Sequence, residues 1–194
     1  VCITRKLENW SVESDTGNFL IFYHDECKVK VWKSTRVEWW SDGNLHREDG
    51  PAITTRTNRQ LWYCNGYLHR KGRPAIILPN GKKEWYNMGK RHCDGGPAYI
   101  GVGGTKEWWV DNRRHRDNAP AVSWPDGRQE WYQRGQLHRD NGPAVIYANG
   151  SKRWFQHGKP CRSSKNKPCH KRNGATIPPK SRATKKKSID KRTS

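Results

Sequence analysis

The chain is poor in the residues that usually build a core: one Met and three Phe among 194 residues, with only 32% hydrophobic residues overall. That share is low for a globular interior even after the 18 Gly are added. No apolar run approaches the ~18 residues of a membrane-crossing helix. The longest, Phe19 to Tyr23, is also too short for the apolar region of a secretory signal. The expected setting is therefore away from any membrane interior, and Val1 in place of Met points to a processed start or to a chain that begins upstream. Cysteine is present six times, at positions 2, 27, 64, 93, 161 and 169, but never in a paired C-x-x-C spacing. Cys161, Cys169 and His170 form a sparse ligand set for zinc, weaker than a reading as free thiols, and the redox compartment stays open. A serine nucleophile elbow, a phosphate-binding glycine loop and a metal motif are all missing, so no catalytic residue, metal or cofactor is expected.

Tryptophan and tyrosine, in contrast, are abundant, at 11 and 7 residues. Steps of 23 residues land on Trp39, Trp62, Trp85, Trp108, Trp131 and Trp154 without an insertion. Seven residues after each of the first five stand His46, His69, His92, His115 and His138, while the sixth copy has Cys161 there. Five residues further come Pro51, Pro74, Pro97, Pro120 and Pro143, each followed by Ala. A period this strict marks a repeat array, here five full copies and a partial sixth. The Trp column reads as the repeat core, and the His and Pro columns read as structural turn residues. A neighbouring aromatic column, Trp40, Tyr63, Tyr86, Trp109, Tyr132 and Phe155, alternates with the first and is expected on the opposite face.

Within the repeats, Gly or Pro about every five residues excludes a useful helix before residue 160. Asn80-Gly81, Gly103-Gly104, Asp126-Gly127 and Asn149-Gly150 predict two-residue hairpin turns with positive φ. Further turns are expected at Asp42-Gly43, Asn65-Gly66, Met88-Gly89 and Arg134-Gly135. About two strands per repeat would advance a sheet by ~10 Å per copy. Three segments result: an N-terminal β-hairpin cap over 1–37, the repeats over 38–162 and a basic extended tail over 163–194.

Charge divides along the chain. From Lys159 to the end there are 13 Lys and Arg against the single Asp190, whereas the preceding part holds 25 basic and 17 acidic residues. Lys165, Lys167, Lys171, Arg172, Lys180, Arg182, Lys185, Lys186, Lys187, Lys191 and Arg192 thus form a candidate partner-binding tail. In the repeats the His column invites a metal ladder, but copies ~10 Å apart cannot share an ion whose ligands each lie ~2 Å from it. Imidazoles bonded to turn backbone fit better. The Arg column, Arg47, Arg70, Arg116 and Arg139, reads as local pairs with nearby carboxylates, and stacking of bases on an exposed aromatic column is the competing use.

The pattern Glu-Trp-Tyr-x-x-Gly-x-Leu-His-Arg-x-x-Gly-Pro-Ala resembles a divergent MORN (membrane occupation and recognition nexus) repeat. Its His-Arg-x-Asp-Gly-Pro-Ala form is similar to repeat proteins encoded in many copies by large DNA viruses; Cys93, Asn112 and Ala119 depart from it. The resemblance implies an all-β, elongated hairpin ribbon that acts as a scaffold between other proteins, without catalytic residues. The resulting expectation is a minor capsid protein of the virion that bridges capsid subunits through ribbon and tail. A nucleic-acid binder using the polybasic tail is the alternative, followed by an adaptor at anionic membrane surfaces that does not span them.

Overall fold

A computed structural model of the chain describes residues 11–15, 19–24, 27–32 and 35–161. Among these the protein is all-β, and no helix is long and apolar enough to cross a membrane. One antiparallel sheet of 16 strands runs through the whole described chain in sequence order. With one flanking hairpin strand set aside, 15 strands follow one another, and at ~4.8 Å per step they extend roughly 65 Å.

The first part of the sheet is a meander of full-length strands. Ser11–Asp15, Phe19–His24, Cys27–Trp32 and Arg36–Ser41 pair in turn, the middle ones over six consecutive register pairs from Phe19↔Trp32 to His24↔Cys27. The alternation in Lys28-Val29-Lys30-Val31 places Val29 in the interior, 1% exposed. An outer strand, Ser11–Asp15, and direct pairing with Arg36–Ser41 make this a four-stranded meander continuous with the repeats, where a hairpin cap of two strands was expected. Of the turn-like sequence His24-Asp25-Glu26, His24 ends the strand Phe19–His24 and the other two residues lie outside the described ones.

Between residues 53 and 146 the strands shrink to two or three residues, and each repeat there carries four of them rather than two. Around Trp85, for example, Ile76–Ile77 and Lys83–Glu84 belong to the main sheet, while Tyr86–Asn87 and Lys90–Arg91 form a separate two-stranded hairpin. Three more such side hairpins follow the same plan at Tyr63–Cys64/Tyr67–Leu68, Trp109–Val110/Arg113–Arg114 and Tyr132–Gln133/Gln136–Leu137. The array closes with Lys152–Gln156 against Lys159–Cys161.

The two kinds of turn are exchanged relative to the sequence expectation. Asn80-Gly81 does not close a two-residue loop: Leu78 N–H bonds the Lys82 carbonyl at 3.0 Å, and Gly81 N–H bonds the Leu78 carbonyl at 3.0 Å. Three residues therefore lie in the loop, and of these only Gly81 has positive φ, at 86°. Pro79 fits the first turn position because its φ is preset, and Asn80 Oδ1 accepts from Lys82 N–H at 3.2 Å. The paired positive φ values occur in the side hairpins instead, as at Met88 (45°) and Gly89 (77°) or Arg134 (50°) and Gly135 (85°). These are the two-residue loops whose twist matches their strands.

Register never slips across the array. A single row of mutually paired residues reads Glu38, Ile53, Leu61, Ile76, Glu84, Tyr99, Glu107, Val122, Glu130, Val145 and Arg153. Cross-strand partners share one face, and this one is the inner face. Behind it lies a column of Ala52, Ala75, Ala98, Ala121 and Ala144, each 0% exposed. A side chain of that size is what the fold admits where main sheet and side hairpins converge.

Candidate functional site: the repeat seam and the outer sheet face

Each repeat turns from main sheet to side hairpin at its Trp. The Trp62 N–H donates to the Ala75 carbonyl at 2.8 Å and the Trp62 carbonyl accepts from His69 N–H at 3.1 Å, and the same two bonds recur in every full copy. Trp62 and Trp131 are 8% exposed, and the other column members are half-buried. The second aromatic column is half-buried along its whole length. Its polar tips turn inward to the sheet: Tyr86 and Tyr132 hydroxyls donate to Glu84 and Glu130 at 3.0 and 2.9 Å, and Trp109 Nε1 donates to Glu107 at 2.9 Å.

Those glutamates escaped the sequence reading, because Glu in a Lys-Glu-Trp-Tyr string reads as a surface residue. In the structure Glu38, Glu84 and Glu130 are 4–6% exposed. Burying a carboxylate is costly unless it is bonded on all sides, and Glu84 is: Lys82 Nζ lies at 2.8 Å, Tyr86 donates to it, and Arg91 closes the remaining side. Burial alone would raise its pKa, but the bonds from Lys82, Arg91 and Tyr86 outweigh this and hold it below the usual carboxylate value. Burial raises the Tyr86 and Tyr132 hydroxyls.

The histidines join one copy to the next. Nδ1 of His46, His69, His92, His115 and His138 accepts the backbone N–H of Asn65, Met88, Asp111, Arg134 and His157, all 19 residues further on, at 3.1–3.4 Å. Each donor is the first residue of a side-hairpin turn with positive φ. An acceptor Nδ1 places the ring proton on Nε2, which faces Asp94, Asp117 and Asp140 at 2.9, 3.4 and 3.1 Å in three copies. Each carboxylate thus orients a ring, and the ring holds the neighbouring turn. Glycine N–H groups complete the seam, as Gly89 N–H bonds the Leu68 carbonyl of the preceding copy at 2.9 Å.

The Arg column differs from its expected role. Only Arg47 pairs with a nearby carboxylate, Asp49, at 2.8 Å. Arg70, Arg116 and Arg139 instead donate Nη1 to the carbonyls of Pro74, Pro120 and Pro143 at 3.2–3.4 Å. All four guanidinium carbons stack 3.8–4.0 Å from the ring centre of their own repeat's Trp. Burial lowers the pKa of Arg70, Arg116 and Arg139.

Pairing also separates charge by face. The row next to the buried one reads Val37, Thr54, Gln60, Ile77, Lys83, Ile100, Lys106, Ser123, Gln129, Ile146 and Lys152. Lys83, Lys106 and Lys152 are exposed, with Ile77, Ile100 and Ile146 half-exposed between them and no carboxylate in the row. This outer face is mixed apolar and basic and continuous over the array.

Among the described residues no group of three or more His, Cys, Asp or Glu is placed to hold a metal. Cys161, grouped with Cys169 and His170 as a sparse zinc set or as free thiols, is disulfide-bonded, as is Cys27; Cys64 and Cys93 are free. A sulfur already spent in a disulfide is no thiolate ligand. Cys169, His170 and the tail residues Lys165 to Arg192 lie outside the described residues. No protein-family model matches the chain, and no curated protein matches it either.

Proposed function

We propose that the protein is a non-enzymatic scaffold, a MORN-like ribbon that serves as a minor capsid protein of a large DNA virus and bridges capsid subunits. The outer sheet face carries this reading. Its exposed lysines, the isoleucines between them and the missing carboxylates suit an extended acidic protein partner, with the apolar residues as anchors and the charges for orientation. The repeated His, Arg, Trp and Glu columns are taken up in holding copies together, as befits a spacer. Disulfide-bonded Cys27 and Cys161 fit an oxidising setting, of which a particle surface is one. The basic tail adds a second, extended attachment to acidic grooves.

The test is crosslinking from lysine amines in the native assembly, with identification of the linked chains. Links from Lys83, Lys106 and Lys152 to other coat proteins are the expected result, and links confined to this chain would sink the proposal. The concentration of 13 basic residues from Lys159 onward keeps a second reading, a nucleic-acid binder working through its tail. That reading requires binding to DNA that weakens steeply with salt and disappears when residues 163–194 are removed.

A further inference from the structure

In four of the five full repeats a guanidinium carbon lies 3.8–4.0 Å over the ring of the repeat's Trp, and in the third none does. The residue after His92 is Cys93, whose side chain is too short to cover Trp85. A groove of about 360 Å³ remains there, lined among others by His69, Arg70, Trp85, His92, Cys93 and Asp94. Trp85 is half-buried, and among the described residues no cation stacks on it. Two backbone bonds at the gap follow the other copies, Trp85 N–H to the Ala98 carbonyl at 2.8 Å and His92 N–H to the Trp85 carbonyl at 3.2 Å, whereas the bond that Arg70 N–H makes to the Tyr86 carbonyl at 3.4 Å has no counterpart at Cys93.

Room for a guanidinium is retained as well. Gly50 and Gly142 lie so close under Arg47 and Arg139 that a Cβ would come within 2.7 and 3.1 Å of their guanidinium carbons. Gly96 is the equivalent residue of the third repeat, and a Cβ there would meet only Cys93 Sγ, at 3.5 Å. Asp94, 97% exposed at its side chain, adds a negative charge at the rim.

We propose that the groove over Trp85 is a receptor for an arginine side chain of a partner protein. The guanidinium would stack on the indole and donate to the Pro97 carbonyl, the counterpart of the carbonyls that take Arg70, Arg116 and Arg139. Arg70 and Lys71 stand at the groove, yet they do not forbid a cation. Arg70 is held on Trp62, and Arg47 and Arg70, like Arg116 and Arg139, already occupy successive repeats. An incoming arginine restores the column's own spacing. The Cys93 thiol, raised in pKa by burial, is no competing nucleophile at this place. The proposal goes beyond the scaffold reading, because it specifies one side chain of the partner whether that partner is a coat protein or not.

The experiment follows the tryptophan indole N–H resonances of the full chain during titration with N-acetyl-arginine amide. Its uncharged isostere, the citrulline derivative, serves as control. A saturable shift of the Trp85 indole with a Kd on the order of 1 mM is expected. Citrulline should bind roughly ten-fold more weakly through loss of the cation–π contact. Cys93→Arg should abolish the shift while keeping or raising the melting temperature, and Cys93→Ala should retain it. The proposal is overturned by an absent or non-saturating shift, by equal binding of citrulline, or by an undiminished shift in Cys93→Arg. If Cys93→Arg does not fold, the comparison of arginine with citrulline on the unaltered chain decides. Failure here leaves the crosslinking result at Lys83, Lys106 and Lys152 untouched, so the two proposals fall separately.

Discussion

The N-terminal meander and the repeat array belong to one sheet but hold it in different ways. In the meander, six-residue strands zip over full register ladders, and cations cover its aromatics: Lys30 Nζ lies 3.8 Å from the Phe19 ring centre and 4.4 Å from that of Trp32. In the array, a pair of two-residue strands offers little ladder, and the side chains supply the rest. The His–turn bond, the Trp–Arg stack and the Glu–aromatic bond each appear about once per copy. Strand length and side-chain bonding are therefore interchangeable means of fixing register. The array uses the second and leaves half of every repeat free for turns.

This contrast can be broken from either side. The largest effect is expected from Trp131→Ala, at about 3–5 kcal/mol of stability. Amide exchange should then show protection lost around residues 122–156 and kept in Phe19–Trp32; uniform loss would mean that the two regions do not differ in how they are held. Next, Cys27→Ser should cost about 2–4 kcal/mol through its disulfide, and the loss should appear in the meander rather than in the repeats. His115→Ala should cost about 1 kcal/mol, because Arg134 N–H loses its acceptor while its φ stays positive. The accompanying exchange should quicken at Arg134 and Gly135 with little change at Ile76, and an unaffected Arg134 amide would remove the His column from the seam.

A last and smaller effect concerns pH. The folded pKa of Glu84 lies below its ordinary 4.5, so its contribution is complete above that value and is lost as pH falls through the folded pKa. Acid unfolding of Glu84→Gln should accordingly be less steep than that of the unaltered chain, and an identical acid limb would exclude this carboxylate from the transition.

Much of the array was legible because its signals are periodic. The Trp, His and Pro-Ala columns locate every copy, and frequent Gly and Pro rule out helices. The turn types were not legible, since Asn-Gly serves both a two-residue loop and the last positions of a three-residue one; pairing of Ile77 with Lys83 decides between them. The buried glutamates were hidden by their chemistry, as a carboxylate reads as a surface group until the hydroxyl, guanidinium and ammonium around it are placed. For the Arg column, nearness in sequence to Asp117 and Asp140 suggested the wrong partner, because the histidines take those carboxylates. Cysteine pairing cannot be read from spacing alone, and Cys27 and Cys161 show it.

The unbroken row from Glu38 to Arg153 sets a rule for how such a molecule can change in length. Loss or gain of a single residue within a copy would turn every later side chain to the other face, exchanging the glutamates for the lysines. Loss or gain of 23 residues leaves each face as it was and moves the far end by ~10 Å. Length is thus a quantised property of the chain, open to duplication in whole copies and closed to gradual adjustment.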